Sequence, residues 1–101
     1  MERIALTDGS GKWFDEDKAE VFNEDTDWDG NNHISCATGS QWNHETLYRT
    51  KSKRWVLNWW SQWQGSTARY TEIDDEAAAA WLVRNGHEHP DVAEQITALE
   101  L

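Results

Sequence analysis

The sequence predicts an α+β domain in which an antiparallel β-sheet of about five or six short strands is combined with two to three short helices. Three observations favour this class. The segment Asp8–Gly11 is a strong hairpin-turn signal. Between His33 and Ile73, runs rich in aromatic and β-branched residues alternate with turns that contain Gly, Ser or Lys. Asp74 precedes an Ala-rich segment, which is typical of a capped helix.

The N-terminal quarter is predicted to form a hairpin followed by a helix. Residues 3–6 and 12–14 are the two strands, joined by the Asp8–Gly11 turn. Asp15 is a good N-cap for a helix from Glu16 to about Asn23, because its carboxylate can accept a backbone N–H of the first turn. The further acidic residues of that turn suit the positive end of the helix dipole.

The middle of the chain is predicted to form a four-stranded meander. Its strands are residues 33–38, 45–50, 54–60 and 68–73. The third strand is expected to carry Trp55, Leu57 and Trp59 on one face and Val56, Asn58 and Trp60 on the other. An antiparallel sheet usually buries one face and exposes the other. Aromatic residues on both faces therefore indicate either that both are covered or that one is a docking surface.

The C-terminal third is predicted to be helical. Asp74 caps a helix over residues 75–84, and Asn85-Gly86 is a typical C-terminal stop. Pro90 can open a last helix whose apolar stripe is Val92, Ile96 and Leu99. We expect residues 1–89 to form a single α+β domain and residues 90–101 a C-terminal helical tail. That tail can pack on the domain, pair with a partner or fray.

Charge and compartment restrict the functional classes. Nineteen acidic and nine basic residues give a net charge of −10, which favours basic partners and disfavours direct contact with nucleic acid. No apolar run is long enough to cross a membrane. The lone Cys36 has no disulfide partner in the chain, so we expect a cytoplasmic protein. The charge is uneven, since residues 46–71 contain five bases and no acid.

Tryptophan is the second departure from average composition. The chain contains eight Trp residues, and tryptophan is enriched where interfaces concentrate their binding energy. A core of this size can bury about half of them. Some are therefore expected on the surface, with Trp60 and Trp63 as the best candidates.

Two patterns in the sequence partly match metal sites, but no metal or other cofactor is expected. The run Asp25-Thr26-Asp27-Trp28-Asp29-Gly30 matches the first half of an EF-hand calcium loop, but Cys36 stands where the closing Glu belongs. Calcium binding by Asp25, Asp27 and Asp29 stays open beside an acidic Asx-type turn. A zinc site lacks the usual paired ligand spacing among the His and Cys residues His33, Cys36, His44, His87 and His89.

Catalytic apparatus is not evident, so we expect a protein that is not an enzyme. Cys36 and His44 lack a third, orienting group at a telling spacing. The acidic runs are explained by helix capping. Gly9 and Gly11 belong to a hairpin turn rather than to a phosphate-binding loop.

The basic segment suggests an alternative function. Arg and Lys interleaved with aromatic residues on a sheet are typical of modules that bind single-stranded nucleic acid. The residues that would do so are Arg49, Lys51, Lys53 and Arg54. The net charge of −10 opposes nucleic-acid binding. A simpler explanation of the pattern is that core Trp residues alternate with solvent-exposed Lys and Arg side chains at the tip of a hairpin.

A resemblance covers most of the chain up to about His89. It is carried by residues 28–35 (WDGNNHIS), 47–50 (LYRT), 54–57 (RWVL), 70–73 (YTEI) and 76–78 (EAA) with Trp81-Leu82. These segments resemble a group of small bacterial or mobile-element proteins of unassigned function, which implies a compact α+β fold. In size and charge alone, the chain also resembles phage anti-defence proteins such as anti-CRISPRs.

These observations lead to a hypothesis of a protein-binding inhibitor or modulator of a nucleic-acid-handling machine. The expected form is an anti-defence protein that blocks a CRISPR effector or restriction enzyme by imitating phosphate spacing. The alternatives are an immunity protein or antitoxin held against a basic nuclease toxin, and the single-strand-binding module. A homodimer is left open. The predicted partner-binding residues are Asp15, Glu16, Asp17, Glu20, Trp60, Trp63, Asp74, Asp75 and Glu76.

Overall fold

The computed structural model describes residues 2–101 and confirms the α+β class. The strands are β1 (Arg3–Ala5), β2 (Trp13–Asp15), β3 (Glu20–Asn23), β4 (Thr26–Trp28), β5 (His33–Ser35), β6 (Asn43–Arg49), β7 (Trp55–Ser61) and β8 (Arg69–Ile73). The α-helices are α1 (Asp75–Arg84) and α2 (Ala93–Ala98), and single 3-10 turns cover Glu16–Lys18 and Pro90–Val92.

Four strands form the main sheet in the order β3-β6-β7-β8, with every neighbouring pair antiparallel. The central strands β6 and β7 are registered with Leu47 opposite Leu57 and Tyr48 opposite Val56. β1 pairs with β2 and β4 with β5 as separate two-stranded hairpins. We call the end of the sheet where β6 finishes and β7 begins the Arg49 end, and the opposite end the tryptophan end.

The predicted helix from Glu16 to Asn23 is wrong. Asp15 does act as a cap, since its carboxylate accepts the backbone N–H of Asp17 at 3.1 Å. The helical backbone nevertheless lasts for one 3-10 turn, and Ala19 is already extended with φ −93° and ψ 148°. The chain then continues as β3, so the acidic residues of this segment do not lie along a helix.

The sheet explains why this segment is extended. β3 places Val21 opposite Tyr48 and Phe22 opposite Leu47 of β6. A β-branched and an aromatic residue suit a pleated strand. Phe22 packs against the buried cluster that includes Leu47 and Trp55. Pairing with β6 therefore outweighs the weak helical preference of a short acidic segment.

The predicted meander is also corrected at its first strand. The strand that begins at His33 ends at Ser35 and pairs with β4, whereas the neighbour of β6 is β3. The turn between β4 and β5 explains this hairpin. The carboxylate of Asp29 accepts the backbone N–H groups of Asn31 at 2.9 Å and Asn32 at 2.7 Å, and Gly30 has φ 104°.

Both faces of the central strands are covered near the Arg49 end. On one face a buried cluster joins the sheet to the helices through Leu47, Trp55, Ala78, Ala79, Trp81, Leu82 and Val92. On the other face Phe14 of β2 packs on Tyr48 and Val56. The alternation predicted for residues 54–60 is thus confirmed at Trp55 and Val56, which belong to opposite cores.

The C-terminal tail packs on the domain. Val92 is fully buried in the helix-side core, Ile96 packs against that core, and Leu99 is half exposed. The described residues form a flat body of 41 × 40 × 22 Å with a radius of gyration of 14.1 Å. A compact domain of this length has about 13 Å. The flat shape leaves a large surface for the length of the chain.

The tail stripe supplies a matched test of this packing. Val92→Ala is expected to lower the free energy of unfolding by about 2 kcal/mol, because it removes buried methyl groups and leaves a cavity. Leu99→Ala is expected to cost less than about 1 kcal/mol, because that side chain is already half in water. Urea denaturation of the two variants measures both values, and equal losses would contradict the packed tail.

Candidate partner-binding surfaces

Three exposed tryptophans lie together at the tryptophan end of the sheet. Trp42 precedes β6, Trp60 lies near the end of β7, and Trp63 follows that strand. Their exposed fractions are 42%, 38% and 59%, respectively, and the rings of Trp42 and Trp63 are 5.1 Å apart. The backbone N–H of Gln62 donates to the carbonyl of Trp42 at 3.0 Å and joins the two flanking segments. We call these three residues the tryptophan patch.

The patch is supported from below by an ordered polar group. The His44 ring stacks on Trp60 with a centroid separation of 4.5 Å. Its Nδ1 lies 2.7 Å from a carboxylate oxygen of Glu24, and the other oxygen of that carboxylate accepts the backbone N–H of Glu45 at 2.6 Å. Because His44 is held in this way, Trp60 rests on a fixed support.

A second carboxylate is partly buried next to this group. The indole N–H of Trp81 donates to Glu45 at 3.1 Å. Burial raises the pKa of Glu45, and the neighbouring Glu24 carboxylate adds to the effect, while the Trp81 bond and Arg84 oppose it. The arrangement links helix α1 to the sheet directly behind the tryptophan end.

The β4–β5 hairpin carries further acidic residues to the tryptophan end. The backbone N–H of Cys36 donates to the carbonyl of Asp25 at 2.8 Å, and the Thr38 hydroxyl donates to the carbonyl of Asn43 at 2.7 Å. These contacts tie the base of the hairpin to the start of β6. Asp25, Asp27 and Asp29 are exposed there. The sequence pattern indicated calcium ligands or an acidic Asx-type turn, and it gave no sign that this hairpin begins at the same end of the sheet as the patch.

Several acidic residues predicted to contact a partner also have hydrogen-bond partners within the fold. Asp15 and Asp74 cap the turn and helix that follow them, and Glu16 accepts a hydrogen bond from the Tyr48 hydroxyl at 3.2 Å. Burial and the Glu16 carboxylate raise the pKa of Tyr48 to about 12. Asp17 and Glu76 are exposed.

The Arg49 end brings two carboxylates that are distant in the sequence to one guanidinium, and a third to a neighbouring histidine. Arg49 is 8% exposed, contacts Asp91 at 2.9 Å and lies 4.0 Å from Asp75, which also accepts the indole N–H of Trp55 at 2.9 Å. Glu20 is opposite Arg49 in the sheet and lies 3.2 Å from His89. Each of these carboxylates therefore has a partner within the fold. They are also about 20 Å from the tryptophan patch, because Asn43 and Arg49 are six residue steps apart along β6 and each step is about 3.3 Å.

The basic segment is divided by the fold. Arg49 is buried beneath the helix-side surface with its guanidinium 4.4 Å from the Trp55 ring. Arg54 is ion-paired with Glu72. Lys51 and Lys53 are exposed in the turn, where Lys53 has φ 63°. The four residues therefore do not form the continuous stacking surface that the nucleic-acid alternative requires.

The candidate metal residues are also dispersed by the fold. Within residues 2–101, no group of three or more His, Cys, Asp or Glu side chains is arranged to hold a metal ion. Asp29 is engaged in the Asx-type turn described above. Desolvation and the neighbouring Asp27 carboxylate raise the pKa of the Cys36 thiol, which disfavours the thiolate needed for metal binding or nucleophilic attack.

Comparisons with known proteins leave the surfaces to define function. No protein-family model matches the chain, and no curated protein or solved structure matches it. None of the helices described between residues 2 and 101 is long and apolar enough to cross a membrane. The tryptophan patch with its neighbouring acidic hairpin is the surface best suited to contact another macromolecule.

Acid titration tests the contacts around Arg49. The Arg49 hydrogen bond holds the pKa of Asp91 below its usual value. A depressed folded-state pKa stabilises the protein above the unfolded-state value of about 3.9, and this contribution is lost as the pH falls through the folded-state value. Asp91→Asn should therefore be less stable at neutral pH and lose less stability between about pH 5 and about pH 2.

The measurement is the free energy of unfolding from urea denaturation at each pH. Glu94→Gln on α2 is the matched control, because it removes one exposed carboxylate from the same tail but leaves the contact between Arg49 and Asp91 in place. Parallel curves for wild type and Asp91→Asn would show that the Arg49 contact does not stabilise the folded state.

Proposed function

We propose that this protein is a non-enzymatic, acidic protein-binding inhibitor or modulator of a nucleic-acid-handling machine, and that it docks through the tryptophan patch. The expected partner is a CRISPR effector or restriction enzyme with a basic surface. The alternative, which also relies on an acidic surface that binds a basic partner, is an immunity protein or antitoxin against a basic nuclease toxin. The observation that carries the proposal is the exposure of three neighbouring indole rings on short, hydrogen-bonded segments.

The geometry of the patch supports docking. Exposed tryptophans in contact with one another remove a large apolar area from water when a partner covers them, at about 25 cal/mol per Å². The stacked His44 and the Gln62–Trp42 hydrogen bond limit the motion of the rings before binding. A prearranged aromatic anchor loses little conformational entropy on association, which is typical of an interface hot spot.

Charge supports the choice of a basic partner. The chain carries −10 overall, and the β4–β5 hairpin presents exposed carboxylates at the same end as the patch. Such charges accelerate encounter with a basic surface and fix its orientation. Surfaces that hold nucleic acid are basic, so an acidic protein with an apolar anchor is suited to occupy one.

Direct inhibition assays test the proposal. The purified protein is titrated into DNA-cleavage reactions of a CRISPR effector, a restriction endonuclease and a basic nuclease toxin, at low and high salt. We expect saturable inhibition of one of them that weakens at high salt, since exposed charges are screened. Absence of inhibition and of binding by calorimetry across such a panel would overturn the proposed partner class.

Trp63 and Trp13 have similar exposure and provide a matched pair of variants. Trp63→Ala should weaken inhibition by about 30-fold, the effect of losing a hot-spot contact of about 2 kcal/mol. Trp13→Ala should leave inhibition unchanged, because Trp13 is 53% exposed but belongs to β2 at the other end of the molecule. Thermal melts of both variants check folding. Equal effects of the two substitutions would exclude the patch as the docking site.

Neutralising charges at each end locates the steering surface. Asp25→Asn with Asp27→Asn changes the tryptophan end, and Glu20→Gln with Glu76→Gln changes the other end by the same two charges. The first pair should slow association by more than the second, as measured by surface plasmon resonance. A larger effect of the second pair would return the contact to the acidic residues predicted from the sequence.

A further inference from the structure

A cleft of about 580 Å³ lies between the β1–β2 hairpin and the turn that joins β6 to β7. This volume is within the range of about 300–1,000 Å³ that is usual for small-molecule sites. The cleft is on the β1–β2 side of the sheet at the Arg49 end, so it is distinct from the tryptophan patch.

The cleft has an apolar floor and an aromatic wall. Leu6, Trp13, Phe14 and Val56 are the large apolar residues of its lining. Phe14 and Val56 are buried, whereas Trp13 is 53% exposed. The guanidinium of Arg3 lies over the Trp13 ring at 4.8 Å from its centroid, which fixes one side of the indole. The floor and the indole together suit a planar, partly apolar group.

The rim of the cleft is basic, unlike the protein as a whole. Four of the nine Lys and Arg residues line it, and they come from three separate segments: Lys12, Lys18, and Lys51 with Arg54. The acidic residues of the lining are Asp15 and Glu72. Four cations against two carboxylates leave a formal charge of +2 in a chain whose net charge is −10.

The two carboxylates are already engaged. Glu72 is paired with both Lys12, at 3.0 Å, and Arg54. Hydrogen bonds from Arg54 and Lys12 lower the pKa of Glu72, so it stays ionised and holds these two cations in place. Asp15 accepts the backbone N–H groups of Asp17 and Glu2. Lys18 and Lys51, which are both exposed, remain on the rim as the cations most accessible to a ligand.

We propose that this cleft binds a small anion that carries about two negative charges and a planar ring, the chemical class of a nucleoside monophosphate. The ring would stack on Trp13 above the apolar floor, and the phosphate would contact Lys18 and Lys51. A long nucleic acid strand is disfavoured, because its remaining phosphates would lie against a strongly acidic body. A small dianion avoids that repulsion, since charges beyond about 8 Å are largely screened at physiological salt.

Isothermal titration calorimetry with adenosine 5′-monophosphate tests the site. We expect saturable binding with one site per chain, and weaker binding of adenosine and of inorganic phosphate, because each lacks half of the recognised chemistry. A ten-residue oligothymidylate and an acidic peptide are the competing ligands. Tighter binding of either one than of the monophosphate would overturn the proposal, and so would the absence of saturable binding of the monophosphate.

Charge-matched variants localise the binding. Lys18→Gln with Lys51→Gln should weaken monophosphate binding by about tenfold, the effect of two exposed charge contacts of somewhat under 1 kcal/mol each. Arg69→Gln with Arg84→Gln removes the same charge outside the cleft and should leave affinity within about twofold. Equal losses in the two pairs would reduce the effect to net charge and overturn the site.

Aromatic variants complete the test and separate it from the docking proposal. Trp13→Ala should abolish the preference for the monophosphate over inorganic phosphate, whereas Trp63→Ala should leave it intact. Melting curves confirm that each variant is folded. The same two proteins give the opposite pattern in the inhibition assay, so failure of either proposal is distinguishable from failure of the other.

Discussion

Burial of one guanidinium is the constraint on which the Arg49 end of the molecule depends. Arg49 projects from the end of β6 and contacts the tail through Asp91, α1 through Asp75 and the next turn through the carbonyl of Lys53 at 2.8 Å. A buried charge is tolerated only while its partners compensate it, and loss of one partner typically costs about 3–5 kcal/mol. The sheet, helix, tail and turn are therefore connected through this side chain. The carboxylates of Asp75 and Asp91 therefore have a role in the fold itself.

Local patterns predicted the elements that local chemistry determines. Asp74 caps α1 through the backbone N–H of Ala77 at 2.8 Å, as its position before the Ala-rich segment indicated. Trp55 and Val56 occupy opposite cores, as strand alternation required. The segment after Asp15 also contains a cap and acidic residues, yet it forms one turn and a strand. Its conformation is decided by pairing with β6, 23 to 29 residues away along the chain, which no local pattern contains.

The functional surfaces divide in the same way. An excess of Trp over the capacity of a small core was enough to predict that some indole rings are exposed, and Trp60 and Trp63 are among those that are. The sequence did not indicate that Arg49 is a buried ion-pairing residue. Only the fold shows that this side chain points inward, away from the exposed cations of the same turn. The cleft was equally hidden. Its cations are distributed along the sequence from Lys12 to Arg54, and they converge only once the β1–β2 hairpin has closed over the sheet.

The alternation of side chains along β7 has a consequence for regulation. Val56, on the floor of the cleft, and Trp60, in the patch, are an even number of residues apart and so project from the same side of the sheet, about 13 Å from each other. A docked macromolecule typically covers about 800 Å² on each partner, which is wide enough to reach from one to the other. Linkage requires that the docked partner contact the ligand in the cleft; where it does, the small ligand and the large one alter each other's affinity by the same factor.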